Sequence, residues 1–558
     1  MFSPYDLHLN MTSNKHTKLY LILALPIILA IALPQYAFSS PVSVPLDHWS
    51  YHFIERFQAK GALGDYLDNT KPYSRDEMAK MIFHISSEAE KGNLKLTKIE
   101  KDRLDELKAE FAEELGKLGM TGIKGRKHLV DWSKDDKIVT IQMGYTQDVI
   151  IKKGTKDHNI YKGTYQFIAR GDIKNGLFFN LNSRASYEKS DEPRPIWIPQ
   201  VTRYPWEAMS DSYIVIRAPW ADIEIGKNQV LWGTGYNGVI GLASVDRTFD
   251  IIKLPLEFWR IKYTNILGFP RDELIENGQT KTVTKYLAAH RLEMKIIPGL
   301  VIAWQEAYVL ARYFNIELIN PVTPYQMVED YLDDAGNNTM EGDIDICLLP
   351  NTKFYLALFL DDYHPGKNPF TYTGFRWAGL GGFLISDPFG IDDIDFRAEY
   401  ARVEPWVYPH RGIVETPPRA SSYKQFDVPL GHWIGPDADN LFFEIDKAFT
   451  KDLETKISYS MVRKGEIGGS LYDYDAGAMN GKKKFLDGVV EKTHNVTFAI
   501  TYRFTTDSNI NISYGILKID NKQDEKAKLP SSFPDKQPWK AGNNWSQNIL
   551  HFALTVKY

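Results

Sequence analysis

The chain ends on Ile549-Leu-His-Phe-Ala-Leu-Thr-Val-Lys-Tyr558, a stretch in which every second side chain is apolar. Leu550, Phe552, Leu554, Val556 and Tyr558 fall on one face, and His551, Ala553, Thr555 and Lys557 on the other. A period of two is that of a β-strand with one greasy and one wet face. The alternation recurs at Val139, Ile141, Met143 and Tyr145, at Phe179, Leu181, Ala185 and Tyr187, and at Phe396, Ala398 and Tyr400. It returns at Val496, Phe498, Ile500, Tyr502 and Phe504, and again at Ile510, Ile512, Tyr514 and Ile516. One such strand suits a soluble sandwich equally well. Many of them, with charged and amide residues on the second face, suit lipid outside and water inside. The region from about residue 136 onward, at ~10 residues per span plus loops, predicts an all-β transmembrane barrel of about 16–18 antiparallel strands.

Past the N-terminus no stretch approaches the ~20 apolar residues of a membrane-spanning helix, so strands must do any crossing. Aromatics make up 13% of the chain, with 31 Tyr against 13 Trp, the residues barrels place in interfacial girdles. A net charge of −5 argues against nucleic acid as a partner. The single Cys347 excludes an intramolecular disulfide and a cysteine zinc site; a closed, fully hydrogen-bonded barrel supplies stability by another route.

At the start, Lys15 and Lys18 precede the apolar run Leu19 to Leu33, and Ala37-Phe38-Ser39 offers a small-x-small cleavage site. The run is short and holds Pro26 and Pro34, which reads as a signal peptide over residues 1–39 rather than an anchor. Translation starting at Met11 leaves that signal intact. Residues 40–125 follow with helical periodicity: Leu104, Leu107, Phe111, Leu115 and Leu118 recur at three and four. Ser74 and Glu77 have the spacing of a capping box. The stripe reads as a small helical bundle, with a short coiled coil between subunits as the alternative. Gly116, Gly119, Gly122 and Gly125 mark a linker into the barrel region, residues 126–558. A helical domain in this position belongs on the periplasmic side.

Gly233-Thr-Gly-Tyr-Asn-Gly238 fits a dinucleotide-binding string, but neither a helix pattern nor a βαβ unit surrounds it; tight turning at a barrel rim is the expected use of these glycines. Asp333-Asp-Ala-Gly-Asn-Asn338 and Asp437-Ala-Asp-Asn440 cluster oxygen donors without calcium-loop spacing, so they read as Asx turns. The motifs of metalloproteases, serine hydrolases and P-loop enzymes do not occur. No catalytic residue, metal site or cofactor is predicted. The long connections 188–212, 315–343, 361–376 and 404–438 belong on the outer side of such a barrel. The last carries Trp406, Tyr408, His410, Arg411 and Trp433; the first carries Arg203 and Trp206. Aromatic faces beside polar groups suit stacking on sugar rings while hydrogen bonds read the hydroxyls, which makes these seven the candidate polysaccharide-binding residues. The alternative is interfacial belts or loop-packing cores.

Three resemblances sharpen this. The terminal strand, with Phe552, Leu554, Val556 and the closing aromatic Tyr558, resembles the assembly signal of bacterial outer-membrane barrels, implying outer-membrane lipid and the barrel assembly machinery as partners. Val44-Pro-Leu-Asp-His-Trp-Ser-Tyr51 and Lys71-Pro-Tyr-Ser-Arg-Asp-Glu-Met-Ala79 partly resemble an S-layer homology module, which implies contact with the cell wall; only one copy is visible where wall-binding versions group three. Gly226-Lys-Asn-Gln-Val-Leu-Trp-Gly-Thr-Gly235, with Gly226, Trp232, Gly233 and Gly235 as its fixed points, resembles the Gly-Arg-x…Trp-Gly-x-Gly segment of Wzi-type capsule assembly proteins, with Lys227 where Arg is common. Asn320-Pro321, Asn338-Thr339 and Leu430-Gly-His-Trp-Ile-Gly-Pro-Asp-Ala-Asp439 are similar to that family too. The resemblance covers roughly residues 200–558. It implies an outer-membrane barrel with a periplasmic helical part that binds and retains capsular or other surface polysaccharide, without catalysis. A wall-anchored porin for small solutes is the alternative.

Overall fold

The computed structural model describes residues 40–558 apart from 65, 135–136, 175, 192–205, 219–220, 245–247, 277–278, 312–313, 334, 411–420, 427, 472–480, 525–526 and 528–536. The predicted signal peptide, Arg203 and Arg411 therefore lie outside the described residues, as does the side chain of Trp206. The strands close into a single antiparallel barrel of 18. Closure joins the two ends of the barrel sequence: the terminal strand Trp545–Lys557 pairs with Lys137–Gly154, setting Thr555 opposite Thr146 and Phe552 opposite Val149. Tyr558 and Met143 exchange both backbone hydrogen bonds at 2.8 and 2.9 Å. Leu550, Phe552, Val556 and Tyr558 all face outward and exposed, as do Phe443, Ile445, Ile457, Val496, Phe498 and Ile516 farther round the wall. A wall this apolar on its outer side is the lipid-facing band expected of a membrane barrel.

The connections differ sharply between the two ends. At one end turns are as short as residues 259–260, 298–299 and 350–351. At the other, the connections 311–336, 404–437, 465–490 and 521–544 are long. Barrels of this type keep short turns on the periplasmic side and long loops outside.

The helical region does not hang free below the barrel; it is inserted into the short-turn end. Helix α1 (Ser50–Ala59), α2 (Arg75–Glu90), α3 (Lys98–Glu110) and α4 (Ala112–Lys117) pack around Phe53, Phe57, Met78, Ile82, Leu107, Phe111 and Leu115. The Leu104–Leu115 stripe is thus spent on this internal core. Both predicted halves of the Ser74–Glu77 capping box form, and Thr97–Glu100 makes a second. Each satisfies two N-terminal amides that helix geometry would otherwise leave open.

Ion pairs lock the helices to the barrel. Arg56 reaches Glu100, Asp387 and Asp395; Glu55 meets Arg397 at 3.0 Å. Asp68 meets Lys353 at 2.9 Å, Asp76 meets Arg217 at 2.9 Å, and Arg126 meets Asp507 at 2.6 Å. Burial alone would raise the Glu55 carboxyl, yet Arg397 overcomes it and holds it at about 2. The chain also threads inward: Thr70–Lys71 pairs as a strand with Leu231–Trp232 of a loop that descends from the other end.

Candidate functional site

The lumen is filled on one side and lined by polar side chains on the other. Loop 229–248 contributes Trp232, Ile240 and Leu242, and loop 404–437 contributes Val407, Tyr408, Tyr423, Leu430 and Ile434. They pack on the inward side chains Phe249, Ile266, Leu287, Phe359 and Leu380. Burying each of these large side chains is worth roughly 1.5–3 kcal/mol, so the two loops are structural parts of the barrel mouth.

Polar contacts fix their positions. Glu399 accepts hydrogen bonds from the backbone amides of Tyr236 (2.6 Å) and Asn237 (3.0 Å). The Tyr236 ring lies under the Arg397 guanidinium, 3.6 Å from the ring centre, and Thr234 donates to Asp345. The glycines of the Gly233–Gly238 string therefore sit deep in the lumen and not at a rim as expected. A Cβ at Gly238 would lie 2.7 Å from His432 Nε2, and one at Gly235 2.1 Å from the Gly238 carbonyl oxygen. Close approach, rather than turning alone, requires them.

The four candidates whose side chains are described, Trp406, Tyr408, His410 and Trp433, do not form one surface. Trp406, Tyr408 and His410 are buried: they hold loop 404–437 in the mouth instead of facing a polymer. The Tyr408 hydroxyl accepts from His432 N (2.9 Å) and donates to the Ile240 carbonyl, tying the two loops together. Burial pushes His410 down to about 3, helped by Arg376, and does the same to His432. Both are neutral imidazoles at physiological pH. This correction has a simple cause: alternation and composition mark an aromatic-rich loop without saying whether it turns in or out. Trp433 differs, being 50% exposed, with its Nε1 donating to Asn237 O and its ring stacked on His432.

The outer surface uses residues that the sequence reading did not single out. Loop 363–375 exposes Tyr363 and Phe370. Tyr372 packs beside His364 (5.2 Å between ring centres), with the Lys367 ammonium 5.4 Å away. The sequence signal was the aromatic, Pro- and Gly-rich character of residues 361–376. Three loops join behind this surface. Lys483 of loop 465–490 pairs with Glu404 at 2.9 Å, both side chains 0% exposed, and donates to Phe375 O; Asp437 accepts from Leu486 N at 2.7 Å. Burial raises Asp437 to about 7.

The opposite half of the lumen is lined by buried and half-buried hydroxyls and amides. Thr146 meets Thr555 (3.0 Å), Thr164 meets Ser186 (2.9 Å), Gln166 donates to Asn182 (2.8 Å), and Asn511 donates to Thr501 (2.8 Å). Such a wall exchanges hydrogen bonds with water or with sugar hydroxyls.

Comparisons with known proteins agree with this architecture. The family model of the capsule assembly protein Wzi matches residues 326–528, a segment that includes loops 363–375, 404–437 and 465–490. No curated protein sequence matches the chain. The chain is similar in structure to Wzi of Escherichia coli, a carbohydrate-binding outer-membrane β-barrel involved in group 1 capsule assembly, at TM-score 0.54 and 12% identity, covering 92% of this chain and 99% of that one. A lower similarity, TM-score 0.42 at 10% identity, extends to the outer membrane protein OprD of Pseudomonas aeruginosa, over 75% of this chain and 94% of that one.

Proposed function

We propose that this chain, whose residues 326–528 match the Wzi capsule assembly family, sits in the bacterial outer membrane and holds capsular or related surface polysaccharide at the cell surface by binding, not by catalysis. The observation that carries the reading is the filled mouth. Helices enter from the short-turn end, and loops 229–248 and 404–437 pack across the lumen from the other, so the molecule offers its surroundings a rigid surface. A polymer suits such a surface, because weak contacts on many copies add up along one chain.

In this reading Tyr363 and Tyr372 supply ring faces for sugars at the outer loops, and His364 and Lys367 supply hydrogen-bond donors. Trp433 offers a further face inside the barrel mouth, where it hydrogen-bonds Asn237. Trp206 opens the strand Trp206–Arg217, and Arg203 and Arg411 lie outside the described residues; all three stay sequence-based candidates for the same contact. Trp406, Tyr408 and His410 support it from beneath. The helical domain is read as periplasmic and as a plug.

The test is to delete the gene and measure polysaccharide in the cell-bound and medium fractions. Unchanged total with a shift to the medium is expected, reproduced by Trp433→Ala with Tyr363→Ala in a barrel that still shows heat-modifiable gel mobility. No shift, with altered uptake of small solutes instead, would overturn the proposal in favour of a porin.

A further inference from the structure

A cluster of basic side chains faces the wrong way for a sugar surface. On the strand Glu491–Arg503, Val496, Phe498, Ile500 and Tyr502 are exposed on the outer wall. Strand alternation puts Lys492 and His494 on that same face, at the end nearest the long loops. Register then gathers basic partners. Lys492 stands directly opposite Arg463 of the strand Leu453–Lys464, and His494 directly opposite Lys518 of the strand Asn509–Asp520. The four run as a staggered row across three adjacent strands, with Met461 opposite His494 and Asp520 opposite Lys492 completing the two rungs. Just below it lie the outward apolar side chains Val496, Phe498, Ile516 and Tyr514.

Like charges directly opposed across strands are destabilising, and side chains so opposed have Cβ atoms only ~5 Å apart. The neighbourhood compensates in part. Asp439 holds Arg463 through both Nε (2.9 Å) and Nη2, the Tyr459 hydroxyl meets His494 Nδ1 at 3.0 Å, and Asp520 stands opposite Lys492, so the unpaired charge is that of the two lysines. Yet Lys492 and Lys518 are exposed and form no ion pair among the described residues. Two ammonium groups held beside a guanidinium and an imidazole, at the upper edge of a lipid-facing band, form a site for an anion in the headgroup layer.

We propose that Arg463, Lys492, His494 and Lys518 bind the phosphate of a phosphorylated glycolipid in the outer leaflet, anchoring the barrel wall to its surrounding lipid. Basic clusters beside a membrane recognise anionic headgroups by this chemistry. The inference rests on the lipid-facing orientation of the wall and is separate from the glycan surface formed by the outer loops.

The experiment uses the full-length protein in detergent, titrated with mixed micelles holding a bis-phosphorylated glucosamine disaccharide lipid or its dephosphorylated form. Wild type is expected to bind the phosphorylated lipid more tightly. The double variant Lys492→Ala/Lys518→Ala should bind it about twenty-five-fold more weakly, at about fivefold per cation removed, while Lys492→Arg/Lys518→Arg retains binding. Heat-modifiable mobility checks that each variant is folded. Equal binding of both lipids, or of wild type and the double alanine variant, would overturn the proposal. Displacement of the lipid by inorganic phosphate alone would also overturn it, making the cluster a small-anion site. Binding of purified polysaccharide by the same variants should be unchanged, so failure of the glycan reading would leave the lipid result standing.

Discussion

Space at single atoms decides how loop 229–248 fits the lumen. A Cβ on Gly241 would lie 2.0 Å from Glu341 Oε2 and 2.2 Å from Gln305 Nε2, both on buried inward-facing side chains. Gly241→Ala should therefore destabilise the barrel by about 1–3 kcal/mol, the usual cost of overpacking, seen as a lower temperature for loss of heat-modifiable mobility. Asp437 shows a different single-atom effect. Its carboxyl is buried and raised to about 7, with Oδ2 left without a hydrogen-bond partner. A carboxyl raised in the folded state favours folding when protonated; the stability it gives is full below about pH 4 and is lost as pH rises through 7. Loop 465–490, which Asp437 holds through Leu486 N, should be nicked by protease on the order of a hundredfold faster at pH 8 than at pH 5. Asp437→Asn should flatten that dependence, since Asn keeps the shape and tolerates the positive φ of 49° found there.

Among the elements, the outer loops behave as one cap because of the buried Lys483–Glu404 pair. Removing one partner of a buried pair leaves a bare charge and costs roughly 3–5 kcal/mol. Glu404→Ala should free loops 363–375, 404–437 and 465–490 together, exposing all three to protease while the strands stay intact. Leu→Ala changes on the outer wall should leave them untouched. The strands were legible in the chain because a period of two survives any tertiary context, and the closing strand Trp545–Lys557 was legible to its last residue. Insertion of α1 to α4 into the barrel was not. Its determinants, Arg56 with Asp387 and Asp395 and Glu55 with Arg397, are single charges more than 300 positions apart with no periodic signature. The same limit separates Trp433 from Trp406 and Tyr408: composition marked the loop, and only packing assigned each ring to the surface or to the core.

At the scale of the whole molecule, a barrel of 18 strands encloses room for an aqueous channel, so its conductance reports how completely the interior is filled. One half of the lumen is packed by the two inserted loops, with an apolar cluster and buried ion pairs such as Arg291–Asp343 and Lys353–Asp345. The other is a polar wall, and the short-turn end is held by helices whose pairs with the barrel are mostly buried. Buried pairs are screened far less by salt than exposed ones, so the plug should stay seated at high ionic strength. In planar bilayers the wild-type protein is expected to give no steady single-channel step, at low or high salt. Arg397→Ala strands Glu55 without its partner, at a cost of roughly 3–5 kcal/mol, and Arg56→Ala takes the guanidinium from Asp395 and leaves Asp387 with Lys60 alone, at 3.1 Å. The double variant should show intermittent openings as α1 leaves its seat, with normal heat-modifiable mobility because the strands are unchanged. A large, steady step from the wild type would mean that the polar half of the lumen is a through-path. The filled mouth would then no longer argue for a holder of polymer over a conduit for solutes.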